Sequence, residues 1–222
     1  TNVTTGVSNT LIGGLAGDAL TDADYNTAVG YGALSSDTLG SNSVAIGTGA
    51  LTTQNFTTAT NAYNTAVGRL AGLSVTTGVQ NVLIGGLAGD ALTDADYNVA
   101  ENTAVGSGAG YSLTTATGGA FLGQHAGVYA TTASNSTFIG HDAGKSLEGT
   151  PLTGDNNTAV GKDAGLFLQG AATNNTLVGK SSGGALETGT QNTFVGANAG
   201  DSTDDGTRNV AVGYLSLTSN CG

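Results

Sequence analysis

Few side chains in this sequence can hold a metal or move a proton, and those that share a spacing are His125, Asp142 and Asp163. Each stands two residues after the glycine that closes a recurring pentad, so the three occupy one position of a repeating unit. Stacked at unit spacing, imidazole and carboxylate are competent ligands for a divalent cation. The other histidine, His141, lies in the same turn one unit later. Elsewhere the shared position holds Leu, Gly, Ser or Asn, so the plain expectation is a solvated turn that requires no metal.

Two further acidic runs invite a ligand reading. Asp22-x-Asp24-x-Asn26, and its copy Asp94-x-Asp96-x-Asn98, begin as a calcium loop begins. The sixth position of that loop needs Gly and here is Thr27, and the closing Glu is missing, so a polar outer corner is expected. Asp201, Asp204, Asp205 and Gly206 read as a tight turn. Neither a Ser-His-Asp set nor a paired carboxylate recurs, and the expectation is a non-enzyme with no cofactor. The glycosylation sequons at Asn2, Asn55, Asn135, Asn156 and Asn174 follow from an Asn/Thr-rich composition.

The elements that position these residues are set by repetition. Pentads of the type Asn-Thr-x-Val/Ile-Gly close at Gly13, Gly30, Gly47, Gly68, Gly85, Gly106, Gly123, Gly140, Gly161, Gly179, Gly196 and Gly213. Most intervals are 17 residues and three are 21, a constant unit with loop insertions. Residues 11–26 recur letter for letter as 83–98, and the second copy adds Val99-Ala100-Glu101-Asn102 before its pentad. Insertions are therefore expected at an exposed corner just ahead of the pentad, with Pro151 in the corresponding later insertion.

A unit this short, with 38 Gly in 222 residues, is too small and too Gly-rich for paired helices. The fold class expected is all-β: a parallel β-roll or β-solenoid of about twelve 17-residue coils, forming one domain over residues 1–222. At a strand spacing of about 4.8 Å the stack is roughly 58 Å long. The pentad Asn, replaced by Ser43, Gly119 and Ser136 in three copies, is expected to form amide ladders between coils.

Both faces of the pentad strand are apolar, and alternation must send them to opposite sides. The column before the closing Gly (Ile12, Val29, Ile46, Val67, Ile84, Val105, Leu122, Ile139, Val160, Val178, Val195, Val212) is assigned to the coil core. Leu20, Val75, Leu92, Leu113, Leu147, Leu168 and Leu186, seven residues after the Gly, predict a second short strand covering it. The other column, including Leu11, Leu83, Phe121, Phe138, Leu177 and Phe194, is left to an oligomer interface. Three thin protomers around one axis are the simplest closed arrangement, a homotrimer. The pentad Thr, alternating with Val44, Val82, Ala120 and Val210, is expected to face inward, which disfavours a water-ordering Thr surface.

Composition narrows the function further. With 5 Lys+Arg against 16 Asp+Glu and a formal charge of −11, neither nucleic acid nor an anionic membrane surface suits this chain. No apolar run approaches a bilayer span, and no membrane insertion by this segment is expected. Its single Cys221 allows no intrachain disulfide. A first residue of Thr and the lack of a leader-like segment read as a piece of a longer fibre protein.

Asn42-Ser43-Val44-Ala45-Ile46-Gly47 resembles the repeat of YadA-like heads of trimeric autotransporter adhesins. The longer unit, Asn-Thr-x-Val-Gly-x-x-Ala-Gly, is similar to repeats of phage tail fibres and tail-fibre-like surface proteins. The resemblance covers essentially the whole chain and implies a left-handed β-roll wound as a homotrimer, extracellular, on a virion or a cell surface. It implies a structural fibre shaft, or alternatively an adhesin head that binds host-surface glycan or protein through its outer loops. The repeat here is longer than that of YadA-like coils.

Overall fold

Each pentad contributes a three-residue strand because Thr, Val and Ile favour extended backbone and the closing Gly releases the chain into a turn. The computed structural model describes residues 2–93 and 101–218. Twelve such strands, from Thr10–Ile12 to Val210–Val212, pair in parallel and strictly in chain order. Register is kept throughout, with Leu11 opposite Ala28, Phe121 opposite Phe138 and Leu177 opposite Phe194. The result is an all-β solenoid of about twelve turns, with no helix among the described residues.

Four positions have positive φ in every one of the twelve coils, and Ser146 and Gly170 add one each in two of them. In the coil that closes at Gly123 they are Gly118, Gly123, His125 and Gly127, at 63°, 134°, 57° and 60°. The residue just before the pentad Asn is one of them, even where it is Tyr25, Tyr63 or Arg208. A left-handed corner there carries the Asn backbone out of line with the ladder. Its amide is satisfied instead by the Asn side chain of the coil before: Asn26 N–H donates to Asn9 Oδ1 at 2.9 Å, and Asn192 N–H to Asn175 Oδ1 at 3.0 Å. The Asn amides also donate to the following coil, Asn26 Nδ2 to the Gly40 carbonyl at 2.8 Å and Asn175 Nδ2 to that of Gly189 at 2.8 Å. The expected amide ladder is present, and it fastens the buried corner of each turn to its neighbours.

The core lies inside each coil, and here the structure reverses the predicted faces. Leu83, Phe121, Phe138, Leu177 and Phe194 are completely buried within a single chain, and Leu11 is half-buried at the first strand. They point inward and are not surface left for a partner. Of the column assigned to the core, Ile12, Ile46, Ile84, Leu122, Ile139, Val195 and Val212 are exposed. Val29, Val67, Val105, Val160 and Val178 of that column are partly exposed. The pentad Thr shares their face, two residues away, and so points outward as well.

The physical reason is volume. Inward from the strand lies the residue four after the closing Gly, and two large side chains never meet there. Ala66, Ala104 and Ala159 accompany Gly72, Gly110 and Gly165, beside which Leu83, Phe121 and Leu177 of the next coil reach in. Leu34, Leu51 and Leu217 occur where the strand offers only Ala28, Ala45 and Ala211. Gly stands there wherever the strand carries Leu or Phe. A Cβ on Gly144 would sit 2.5 Å from the Phe138 ring, and one on Gly200 would sit 2.3 Å from that of Phe194. The core thus keeps native density by pairing large with small.

The second strand is mostly absent. Leu20, Val75, Leu92, Leu113, Leu168 and Leu186 are buried as expected, but they follow the turns in irregular backbone and form no strand. Among the described residues, strand pairing on that side is limited to Gly40–Ser41 with Thr60–Asn61 and to single bridges from Leu152 to Ala130 and Gly170. Leu147 is exposed and Leu152 takes the core place, so the extra residues of that coil precede Leu152 and do not abut its pentad. Where Leu34 and Leu51 fill the core, Asp37 and Gln54 are buried with them. Asp37 accepts from the backbone of Gly40 and Phe56, both at 3.0 Å, and from Gln54 Nε2 at 2.6 Å. Asp94, Asp96, Asn98, Val99, Ala100 and Cys221 lie outside the described residues.

The closing glycines set a close backbone-to-backbone contact that recurs from coil to coil. A Cβ on Gly140 would lie 2.6 Å from the Gly161 carbonyl oxygen, and φ at Gly140 is 133°. At Gly213 φ is 124° but no atom lies within 4 Å of the added carbon. Gly140→Ala is therefore expected to cost at least about 2 kcal/mol, from backbone strain plus overpacking. Gly213→Ala should cost visibly less, and urea unfolding midpoints of the two variants provide the check.

Candidate functional site

Two surfaces have enough organisation to carry a function. The first is the outer face of the twelve-stranded sheet. Its strand registers align the branched aliphatics in one column and Thr, Val or Ala in the other, with no charged residue in either. Eleven steps of about 4.8 Å make this strip about 53 Å long. Ile46, Ile84, Leu122, Ile139 and Val195 are each 37–39% exposed, the Val positions between them are partly exposed, and the end residues Ile12 and Val212 are more open. Tyr25, Tyr31 and Tyr63 are 53–63% exposed in the corners that flank it. A dry aliphatic centre with a polar and aromatic rim is the composition of a protein interface.

The second is the turn after the closing glycines of coils ending at Gly123, Gly140 and Gly161. The repeat places His125, Asp142 and Asp163 in successive turns, all at φ 57°. His125 Nδ1 lies 3.3 Å from Asp142 Oδ1, and His141 Nδ1 lies 3.4 Å from Asp142 Oδ2. The imidazole rings are 6.3 Å apart, tilted by 54°. His141, Asp142 and Asp163 offer ligand atoms that all lie within 4.8 Å of one another. Lys145 Nζ is 3.6 Å from Asp142 Oδ2, and Lys162 pairs with Asp163. Asp142 Oδ1 is enclosed yet accepts no hydrogen bond, because its contact with His125 has the distance but not the geometry of one. The sequence pointed to three of these four residues; His141 was missed because it precedes the shared position by one residue.

The remaining acidic candidates do not converge. Asp22 accepts from the Thr5 hydroxyl and Asp24 from the Val7 backbone at 2.7 Å, while Asn26 belongs to the amide ladder, so this run is the expected polar corner. Asp204 accepts from the Asp205 backbone at 2.8 Å, as in a tight turn. Asp90 is different in kind: burial raises its carboxyl above the ordinary 3.8, and its Oδ1 is buried without a hydrogen-bond partner. Among the described residues no helix is long and apolar enough to cross a membrane.

Phe138→Ala is expected to cost about 3–5 kcal/mol, and Ile139→Ala a fraction of that. Denaturation of the two variants reads directly which column is core. The raised carboxyl of Asp90 means that its proton is held more tightly in the folded state. Its contribution therefore favours folding below the unfolded value and is lost as pH rises through the folded one. Asp90→Asn should thus raise the melting temperature at neutral pH, with the gain vanishing below about pH 3.8. No family model, curated protein or solved structure matches this chain, and its function is therefore read from its own surfaces.

Proposed function

We propose that this chain is a non-catalytic rod segment of an extracellular fibre, such as a phage tail-fibre shaft or a comparable surface appendage, that self-associates through the outer face of its sheet. The observation that carries this reading is the uninterrupted aliphatic strip from Ile12 to Val212, half-exposed on a chain whose own core is already complete. Transfer of such a strip from water favours association in proportion to its area. A flat face of constant composition suits copies that run side by side along one axis, and three of them close without leaving an edge strip uncovered. The short, hydrogen-bonded turns and the internal core suit a load-bearing rod. The acidic, Asn- and Thr-rich remainder of the surface keeps such a rod soluble.

Untagged protein at micromolar concentration is expected to show three times the 21.5 kDa protomer mass by light scattering. The triple variant Ile46→Glu, Ile84→Glu, Ile139→Glu should keep its β circular dichroism and run as a monomer, because all three side chains point away from the core. A monomeric wild type, or a triple variant that still associates, overturns the reading. The outward Thr column favours one second reading, a face that orders water. A monomeric wild type with thermal hysteresis, abolished by the same triple variant, would establish it.

A further inference from the structure

The turn cluster at His141, Asp142 and Asp163 meets the requirements of a cation site in chemistry, convergence and vacancy of a lone pair. Imidazole and carboxylate together favour a first-row divalent ion such as Zn²⁺ over the hard cations Ca²⁺ and Mg²⁺, which take oxygen ligands only. In a tetrahedral zinc site, bonds of about 2.0–2.1 Å place ligand atoms about 3.3 Å apart. The 3.4 Å between His141 Nδ1 and Asp142 Oδ2 already has that separation. Asp163, in the next coil, has to move its carboxylate by a rotamer adjustment, since the group spans up to 4.8 Å.

The rod backbone makes the site rigid where it matters. Asp142 and Asp163 are held at identical φ in adjoining turns. The Asp163 backbone N–H donates to the His141 carbonyl at 3.0 Å, and that of Asp142 to Gln124 at 3.1 Å. Asp142 is mostly enclosed, its side chain 15% exposed, and its Oδ1 has no hydrogen bond to lose. Positive charge already gathers at these carboxylates, from Lys145 and Lys162. Both ammonium groups are mobile enough to leave, their side chains being 33% and 57% exposed.

We propose that His141, Asp142 and Asp163 form a surface site for a first-row divalent cation, with Zn²⁺ the ion it fits, bridging two successive coils. His141 supplies Nδ1 and the two aspartates one oxygen each, and water completes the shell. His125, stacked one coil before, orients the Asp142 carboxylate. The cation displaces the two lysine ammonium groups and cross-links the turns that close at Gly140 and Gly161.

The test is calorimetric titration of untagged, metal-stripped protein with ZnCl₂, with MgCl₂ as a parallel ligand. One saturable Zn²⁺ per protomer is expected, with no Mg²⁺ response. Asp142→Asn, which keeps the left-handed turn, and His141→Ala should each weaken binding about tenfold or more. Asp22→Asn, at the polar corner elsewhere, should leave it unchanged. Absence of saturable Zn²⁺ binding overturns the proposal, as does equal affinity in wild type and a correctly folded Asp142→Asn variant.

Discussion

Everything in this molecule follows from how closely one coil sits on the next. At the closing glycines the backbone of each turn leaves no room for a single methyl group, as the 2.4–2.7 Å approach of an added Cβ to the next coil shows from Gly13 to Gly196. Hydrogen bonds between turns run at that spacing around much of the perimeter, well beyond the three-residue strands: Gly17 N–H to Ala33, Thr21 to Thr38, Asn42 to Asp24. A short strand is weak by itself. Twelve of them in register, each tied to its neighbours at several corners, form one continuous sheet whose stability is shared between adjacent coils.

That spacing also dictates what the side chains do. With one residue per coil at each position, every column along the rod is a ladder of near-identical chemistry. Inside, the ladders must fill a fixed cross-section, which explains why Leu34 accompanies Ala28 while Gly144 accompanies Phe138. Polar groups inside are mostly paired, as in the Asn column and in the Asp37–Gln54–Asn64 chain, while the buried Ser146 and Thr203 hydroxyls have no hydrogen-bond partner. Outside, the same repetition turns a modest apolar side chain into a strip tens of ångströms long. It also brings Asp163, one coil further along the chain, into one turn cluster with His141 and Asp142.

The repeat and the parallel register were legible in the sequence because each is a matter of period; the left-handed backbone at Tyr25, His125 or Arg208 was not, since no glycine marks it. A pentad that returns at a constant interval has to stack on itself, and Gly, Asn and Ala at fixed offsets have to be its turns. The Asn ladder was legible for the same reason. The run at Asp22 and Asp24, expected from its spacing to be a polar corner, accepts hydrogen bonds from Thr5 and Val7 of the preceding coil.

What only the tertiary structure decided was which way the strand faces and where each insertion goes. Alternation fixes that Phe138 and Ile139 lie on opposite sides, but two apolar columns give no polarity to choose by. The choice comes from volume: the interior must complement Gly and Leu four residues after the turn, and only the Leu/Phe/Ala column varies in compensation. The uniform Val/Ile column is uniform because it fills nothing within the coil. Insertion positions, such as the exchange of Leu147 for Leu152, are likewise settled by which side chain reaches the core, a distance that no interval in the sequence measures.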